Sequence, residues 1–149
     1  MNPIPVSIVL FYQFPNLLWM QKRQTPGALQ GKMEFPGGKI EILKNESPLD
    51  AAIREVQEEV GVSVPKEALH FFKILPYRDS SSNKSILLYL FVASFKECLE
   101  QGMPPLPIVP LSQEWITIEP HQPKQFLLDG VIPTINHDVI WYFSQGMLV

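Results

Sequence analysis

Apolar residues occur in short runs along most of the chain, and polar or proline-containing segments separate these runs. Runs of this kind, rich in β-branched and aromatic residues, are typical of strands. The first two runs are joined by Phe14-Pro15-Asn16, which suits a tight turn. Strands are therefore predicted over residues 6–13, 17–22, 33–35, 69–75, 85–95 and 114–118.

Segments rich in glycine, proline or polar residues predict the connections between these strands. Pro36-Gly37-Gly38 predicts a turn, because glycine permits backbone conformations that other residues avoid. The segment 101–110 contains four prolines and predicts a loop. Residues 24–32 and 78–84 are predicted as polar loops for the same compositional reason.

One helix is predicted over residues 47–60, where both ends carry a signal. Ser47 suits the N-cap and Pro48 the first helical position, while Gly61 suits the position just past the end. Apolar residues recur here every three or four positions, which predicts one stripe facing a core. The residues of that stripe are Leu49, Ile53, Val56 and Val60.

A second helix is predicted over residues 133–145, with Trp141 and Tyr142 partly buried. The order of strands, helix, strands and helix indicates a mixed α/β domain. No repeat or linker divides the chain, and 149 residues is an ordinary length for one domain. We therefore expect a single domain over residues 1–149.

Charge and cysteine content narrow the class of protein. A net charge of −3 argues against binding of nucleic acid polymers, which requires clustered Lys and Arg. Cys98 is the only cysteine, so no internal disulfide forms, and a cytoplasmic location is expected. No apolar run reaches the roughly 20 residues that cross a bilayer, so we expect no membrane partner.

The face of the first predicted helix opposite the apolar stripe carries a cluster of carboxylates. Glu55, Glu58 and Glu59 gather over about one turn, and Glu46 precedes the helix. Arg54 alone cannot neutralise four carboxylates, whereas a hard divalent cation such as Mg²⁺ prefers such oxygen ligands. A solvated acidic helix face is the alternative. The glycine-rich segment upstream and the absence of interleaved lysines favour the metal site.

The sequence GGKIEILKNESPLDAAIREVQEEVGV, residues 37–62, resembles the Nudix box. That box is Gly, five residues, Glu, seven residues, Arg-Glu, an aliphatic residue, any residue, Glu-Glu, any residue, Gly and an aliphatic residue. From Glu46 to Val62 every position agrees. Seven residues instead of five separate Gly38 from Glu46, which indicates a two-residue insertion around residues 42–45. The resemblance implies the Nudix fold, an α/β fold with a mixed β-sheet between helices.

Segments flanking the box resemble the MutT subgroup of the Nudix family. They are Arg23, the sequence KMEFPGGKIE at residues 32–41 and the sequence PTINHDVI at residues 133–140. In that subgroup an Asn at the position of Asn136 contacts the purine edge, and an aromatic residue at the position of Phe35 lines the base pocket. Helix capping for Asn136 and core packing for Phe35 are the alternatives.

The resemblance implies a metal-dependent pyrophosphohydrolase. Water attacks an internal phosphorus of a nucleoside triphosphate, which yields a nucleoside monophosphate and pyrophosphate. The leading substrate is 8-oxo-dGTP or another purine deoxynucleotide. The implied cofactor is Mg²⁺, which Mn²⁺ can replace, and the implied partner is a small-molecule nucleotide bound to a monomer or homodimer.

Site residues follow from the same resemblance. The implied catalytic residues are Glu55 as the general base, Glu58 beside it, and Arg54, which orients the carboxylates. The implied metal ligands are the Gly37 carbonyl, Glu55, Glu58, Glu59, and Glu46 as an outer ligand or as a partner of Arg54. The implied substrate contacts are Arg23 to phosphate, Phe35 and Asn136 to the base, and Lys84 near the base pocket, unless Lys84 is a solvated loop charge.

Two other interpretations stay open. Pro76 and Tyr77 lie near the position where some ADP-ribose or dinucleoside polyphosphate hydrolases carry a distinguishing residue, although the same pair could end a strand. A nucleotide-binding Nudix module without catalysis is the second. The loop 101–113 lacks the acidic residue that family members often place there, which leaves Asp79 as a distant candidate base. The three histidines share no spacing typical of a zinc site.

Overall fold

The computed structural model describes residues 2–23, 31–79, 83–117 and 134–147. Within these ranges, 3-10 turns lie at Ile42–Lys44 and Lys66–Ala68. The strands are β1 (Ile4–Gln13), β2 (Leu17–Lys22), β3 (Met33–Glu34), β4 (Gly37–Lys39), β5 (His70–Asp79), β6 (Lys84–Ser94) and β7 (Gln113–Thr117). The helices are α1 (Pro48–Val60), α2 (Phe95–Glu100) and α3 (Thr134–Met147).

These elements belong to two compact units. Unit 1 comprises Met1–Tyr12 and Pro36–Pro107, and unit 2 comprises Gln13–Phe35 and Ile108–Val149. Because parallel and antiparallel strand pairs occur together with helices, the predicted mixed α/β class is confirmed. That the whole chain is one domain stays a prediction.

The sheet of unit 1 is mixed. β1 runs parallel to β6, and β6 runs antiparallel to β5. β4 pairs antiparallel with β1, with Gly37 opposite Ile8 and Gly38 opposite Ser7. Three consecutive residues of β1 are fully buried, namely Val9, Leu10 and Phe11. Successive buried residues of a strand point to opposite faces, so both faces of β1 are covered at this point.

Helix α1 begins and ends where its sequence predicts. The Ser47 hydroxyl accepts a hydrogen bond from the Asp50 backbone N–H at 3.0 Å. Gly61 ends the helix in the left-handed region at φ 83°. Of the predicted apolar stripe only Val56 is fully buried; the small residues Ala51 and Ala52 complete the buried face. Small side chains let the helix approach the sheet closely.

The turn predicted at Pro36-Gly37-Gly38 is wrong, because Gly37 and Gly38 begin strand β4. A Cβ atom at Gly37 would overlap the backbone carbonyl of Ser7 on the paired strand. The glycines are therefore required for close approach between chain segments, not for an unusual backbone angle.

Two further local predictions differ from the structure. The polar loop predicted over 78–84 is wrong at its ends, since Arg78 pairs with Ser85 and Asp79 with Lys84 in the β5–β6 ladder. Residues 80–82 lie outside the described part. Helix α2 was not predicted, although Ser94 caps it by accepting from the Glu97 backbone N–H at 3.3 Å. The Ser-x-x-Glu spacing was the signal for this helix.

The described part of unit 2 is an antiparallel ladder with one helix. β2 pairs on one edge with β3 and on the other with β7. Trp19 in β2 is fully buried, and α3 contributes Val139, Ile140 and Phe143 to the buried residues. The predicted strand 17–22 is thereby confirmed, as are the predicted strand 114–118 over residues 114–117 and the predicted C-terminal helix over residues 134–145.

Cys98 in α2 is fully buried and carries a free thiol, as expected of a structural cysteine. Burial raises the pKa of this thiol to about 11. None of the described helices has both the length and the apolar character needed to cross a membrane.

Candidate active site

Arg54 lies at the centre of a group of carboxylates on α1 and on the loop before it. Its Nε and Nη2 atoms donate to the two oxygens of Glu46 at 2.7 and 2.9 Å, which is a bidentate pair. Its Nη1 atom donates to Glu55 Oε1 at 2.9 Å and to Glu58 Oε2 at 3.2 Å. The structure therefore brings together four residues that were predicted to share one site.

The loop between Glu41 and Glu46 is the segment in which the sequence predicts a two-residue insertion. Ile42–Lys44 forms a 3-10 turn, and Asn45 follows in the left-handed region at φ 56°. The Glu41 backbone N–H donates to Glu46 Oε1 at 2.9 Å, and the Glu46 N–H donates to the Glu41 carbonyl at 3.2 Å. The loop thus closes on itself and leaves Glu46 beside Arg54.

The pairing with Arg54 changes the electrostatics of Glu46. Hydrogen bonds from the guanidinium group hold the pKa of the Glu46 carboxyl below its ordinary value. The same hydrogen bonds raise the pKa of Arg54. Because both oxygens of Glu46 accept from Arg54, this geometry supports the alternative in which Glu46 is a partner of Arg54 over the one in which it binds metal directly.

The glycines of β4 allow carboxylates of α1 to lie against that strand. The Gly37 backbone N–H donates to Glu59 Oε2 at 2.9 Å. A Cβ atom at Gly38 would overlap the carboxyl group of Glu55, so this position requires glycine while Glu55 lies there. Gly38 was missed as a functional residue. The Gly-Gly pair was the available signal, but it was attributed to a turn.

Two other neighbours of Arg54 were also missed from the sequence. The Lys39 carbonyl accepts from Arg54 Nη2 at 3.0 Å. Glu41 Oε2 lies 3.9 Å from Arg54 Nε and 3.5 Å from Lys44 Nζ. A backbone acceptor has no residue-type signal, and Glu41 lies outside the spacing of the box. The arrangement around Arg54 thus includes the end of β4 as well as α1.

The candidate phosphate and base contacts Arg23 and Phe35 lie in unit 2. Arg23 Nη1 forms an ion pair with Glu34 Oε2 at 3.4 Å, and the Arg23 side chain is 39% exposed. Burial raises the pKa of Glu34, which the charge of Arg23 partly opposes. Phe35 is only 4% exposed, so most of its surface is already packed against protein. This burial agrees with the core-packing alternative for Phe35.

The remaining candidates are less fully described. Asn136 lies in the first turn of α3, and its side chain is outside the described part. Lys84 is exposed at the start of β6, six residues before Leu90, which aligns with Ile8 and Gly37. At about 3.3 Å per residue, Lys84 is roughly 20 Å along the strand from that row. The structure therefore does not bring Lys84 to the carboxylates of α1.

The candidate general base Asp79 and the three histidines lie only partly within the described residues. Asp79 pairs with Lys84 through the backbone, and its side chain is outside the described part. His70 Nε2 lies 3.4 Å from Glu97 Oε2 on the surface. His121 and the side chain of His137 fall outside the described residues.

The family model of the NUDIX domain matches residues 1–130. This chain belongs to the Nudix family. The predicted resemblance is thereby confirmed, and Asn136 lies beyond the matched residues. Nudix enzymes act on small nucleotide substrates and generally use a divalent metal ion.

Two curated relatives are similar to parts of this Nudix chain. The 8-oxo-dGTP diphosphatase of Escherichia coli (strain K12) is 35% identical over 63 residues, which cover 42% of this chain and 47% of that protein. The mitochondrial coenzyme A diphosphatase of Mus musculus is 36% identical over 63 residues, covering 42% of this chain and 30% of that protein. The matched segments thus span less than half of either relative.

A solved structure extends the likeness across the fold. The Nudix hydrolase from Nitrosomonas europaea has a TM-score of 0.68 and 15% sequence identity, covering 98% of this chain and 91% of that chain. At this identity the likeness concerns the fold alone, and it confirms the predicted Nudix fold.

The donor chemistry of α1 fits a divalent cation. The side chains of Glu55 and Glu58 provide hard oxygen ligands and are 14% and 57% exposed, and Glu59 lies exposed near Gly37. In the described part of the chain, no three acidic, histidine or cysteine side chains converge on one point. Glu55 and Glu58 instead both accept hydrogen bonds from Arg54. An ion bound by these two carboxylates would therefore compete with Arg54 for their oxygens.

Proposed function

We propose that this Nudix chain is a metal-dependent pyrophosphohydrolase that cleaves a nucleoside triphosphate to a nucleoside monophosphate and pyrophosphate. The observation that carries this proposal is the hydrogen-bonded arrangement of Arg54 with Glu46, Glu55 and Glu58, next to the β4 glycines. A merely solvated acidic face would not need one guanidinium shared among three carboxylates, or a glycine that makes room for the Glu55 carboxyl group.

The proposed ligands of the ion are the carboxylates of Glu55, Glu58 and Glu59 together with the Gly37 carbonyl. Mg²⁺ suits this set because it prefers oxygen ligands and substrate phosphates, and Mn²⁺ can replace it. When bound, the ion supplies positive charge that offsets the negative charge developing on the phosphate oxygens. Glu46 would act through Arg54 by holding the guanidinium in place.

The proposed reaction is an in-line displacement at an internal phosphorus. Glu55, the proposed general base, accepts a proton from a water molecule as the water oxygen attacks phosphorus. A new phosphorus–oxygen bond forms while the bond from that phosphorus to the oxygen between the α- and β-phosphorus breaks; the attacked fragment carries the water oxygen, and the other leaves with the bridging oxygen. Arg54 orients Glu55 through the 2.9 Å hydrogen bond, and the same guanidinium group donates a hydrogen bond to Glu58.

The proposed substrate is a purine deoxynucleoside triphosphate, with 8-oxo-dGTP as the leading candidate. The matched Escherichia coli relative is an 8-oxo-dGTP diphosphatase, and the flanking sequences resemble the same subgroup. Arg23 is the proposed phosphate contact, with Phe35, Asn136 and Lys84 as proposed contacts around the base. A cytoplasmic location, the monomer or homodimer, and the absence of nucleic acid and membrane partners stay predictions from the sequence.

A second candidate is hydrolysis of another substrate that contains a nucleoside diphosphate. The matched mouse relative is a coenzyme A diphosphatase, so the family match supports more than one substrate class. Pro76 and Tyr77 lie within β5, paired with Leu87 and Ile86, so they do not end the strand. This placement leaves the pair available as a distinguishing feature of ADP-ribose or dinucleoside polyphosphate hydrolases.

A panel of substrates tests these proposals. The full chain is incubated with Mg²⁺ or Mn²⁺ and with 8-oxo-dGTP, dGTP, ADP-ribose, diadenosine tetraphosphate or coenzyme A. We expect the triphosphates to give equal amounts of monophosphate and pyrophosphate, at least tenfold faster than the other substrates react, and chelation to stop the reaction. Faster hydrolysis of another substrate contradicts the triphosphate proposal. No hydrolysis of any substrate contradicts catalysis and favours a nucleotide-binding module.

A further inference from the structure

An open cleft with a volume of about 550 Å³ lies beside the carboxylates of α1. Clefts that bind small molecules commonly have volumes of about 300–1,000 Å³. The residues that line this cleft include Glu55 and Arg54, and also Ile42 and Leu43 of the Glu41–Glu46 loop. The cleft therefore connects the proposed catalytic residues to the segment in which the sequence predicts a two-residue insertion.

Ile42 and Leu43, which we call the aliphatic pair, present hydrocarbon to the solvent. Leu43 is fully exposed and Ile42 is 60% exposed. The 3-10 turn that contains them has no buried residue, so neither side chain stabilises the core of unit 1. Single exposed apolar residues are common on proteins, but two neighbours that line one cleft form a surface that a ligand with hydrocarbon would cover favourably.

Backbone hydrogen bonds hold the aliphatic pair in place. The Lys44 N–H donates to the Glu41 carbonyl at 3.1 Å, and the Asn45 N–H donates to the Ile42 carbonyl at 2.9 Å. The Ile42 N–H donates to the Ile40 carbonyl at 3.0 Å. Because the turn is already ordered, a ligand that covers the aliphatic pair pays little conformational entropy for fixing it.

Charged side chains in the same cleft favour an anionic ligand. The three cations Lys39, Lys44 and Arg54 line it together with the two carboxylates Glu41 and Glu55, which leaves an excess of positive charge. The Lys44 side chain is 76% exposed, although its Nζ atom lies 3.5 Å from Glu41 Oε2. A ligand that combines phosphate groups with hydrocarbon therefore matches both the cations and the aliphatic pair.

The position of Glu55 in the cleft limits which part of a substrate reaches the aliphatic pair. If a diphosphate is cleaved at Glu55, a substituent of that diphosphate extends into the rest of the cleft. The pyrophosphate of a nucleoside triphosphate is wholly polar and gains nothing from contact with Ile42 and Leu43. A hydrocarbon group esterified to the diphosphate would instead cover both side chains and gain free energy from their burial.

We propose that this cleft is a subsite for a hydrocarbon group, and that the chain also hydrolyses nucleoside diphosphates esterified with an aliphatic alcohol. The idea rests on the proposed function for the position of the phosphates at Glu55. Water attacks one phosphorus while the bond from that phosphorus to the bridging oxygen breaks, and Glu55 passes the proton of the water to solvent. The products are a nucleoside monophosphate and an alkyl phosphate.

The first test measures binding without turnover and varies only the length of the hydrocarbon. The ligands are the methyl, butyl and hexyl β-esters of α,β-methylene-dGDP, in which carbon replaces the bridging oxygen and prevents cleavage. Calorimetry with Mg²⁺ measures their affinities for the full chain. We expect the hexyl ester to bind at least tenfold more tightly than the methyl ester, since each buried methylene strengthens binding by up to roughly fourfold. Equal affinities for the three esters overturn the proposal.

The variant Ile42→Ser/Leu43→Ser tests whether the aliphatic pair causes this preference. Both side chains are exposed, so the variant should unfold at nearly the wild-type temperature. We expect its affinity for the methyl ester to be unchanged and its preference for the hexyl ester to fall below threefold. Leu99→Ser, at an exposed leucine of α2 in unit 1, is the matched control and should keep the full preference. An undiminished preference in Ile42→Ser/Leu43→Ser excludes the subsite.

The cleavable esters of dGDP test the activity itself. We expect equal amounts of dGMP and alkyl phosphate, with a KM that falls as the chain lengthens and a kcat that changes little. Binding that depends on chain length without release of alkyl phosphate overturns the activity. If triphosphates are hydrolysed while affinity is independent of chain length, the subsite is wrong and the proposed hydrolase function stands.

Light scattering distinguishes the subsite from a contact between two copies of the chain. We expect Ile42→Ser/Leu43→Ser to have the same molar mass in solution as wild type. A lower mass together with an unchanged preference for the hexyl ester would assign the aliphatic pair to an interface between copies and overturn the proposal.

Discussion

Single atoms decide how the carboxylates of α1 meet strand β4. Gly37 and Gly38 are adjacent, yet an added Cβ atom would meet backbone at the first and a side chain at the second. At Gly37 the obstacle is the Ser7 carbonyl of the paired strand, which moves only if the sheet moves. At Gly38 the obstacle is the Glu55 carboxyl group, which changes position by rotating about its side-chain bonds.

The two glycines should therefore respond differently to alanine. Gly37→Ala is expected to lower the free energy of unfolding by about 1–3 kcal/mol, because the backbone that the new methyl group would overlap cannot move away easily. Gly38→Ala is expected to displace Glu55 and lower turnover at least tenfold, with a smaller loss of stability. Urea unfolding and initial rates of pyrophosphate release measure both effects. Similar losses of stability in the two variants would contradict this distinction.

The Glu41–Glu46 loop and helix α1 act as one element because Arg54 connects them. The Glu46 carboxyl group accepts hydrogen bonds from Arg54, which lies on the helix, and from the Glu41 backbone N–H, which lies in the loop. Its carboxyl pKa is lowered in the folded chain, so the ionised form is favoured there. The resulting stability is complete above the unfolded value of 4.5 and is lost as the pH falls through the lower folded value.

Substituting Glu46 should remove this pH dependence. At pH 7, without metal, Glu46→Gln is expected to lower the free energy of unfolding by about 2 kcal/mol, since it weakens charge-assisted hydrogen bonds. The difference from wild type should shrink in the pH range below 4.5, as wild-type Glu46 becomes protonated. Urea unfolding across this range measures it. Glu100→Gln, at an exposed glutamate, is the control, and a pH-independent difference for Glu46→Gln would refute the account.

At the scale of the whole molecule, local signals predicted the elements that depend on local chemistry. The Ser47 cap, Pro48 and the terminal Gly61 fixed the bounds of α1, and the carboxylate spacing predicted that Glu55 and Glu58 share one site with Arg54. These features depend on residues within one or two helical turns. Such signals are therefore present in the sequence itself.

Features that depend on distant segments could not be predicted in this way. Strand β4 exists because Gly37 and Gly38 pair with Ile8 and Ser7, about thirty residues away in the printed sequence. Arg78 and Asp79 looked like loop residues because they are polar, yet pairing with β6 extends the strand through them. The Gln113 Oε1 atom is buried without a hydrogen-bond partner among the residues that the structure describes, and no local pattern of residue types indicates this.

The most direct test of the central claim is metal-dependent pyrophosphate release by wild type, Glu55→Gln and Glu59→Gln. Each substitution keeps the size of the side chain and removes its charge, so the account predicts at least a hundredfold lower turnover with Mg²⁺ in a chain that still shows a cooperative thermal unfolding transition. Glu100→Gln should match wild type in both measurements. Unchanged turnover in Glu55→Gln and Glu59→Gln would contradict the assignment of the metal site to α1.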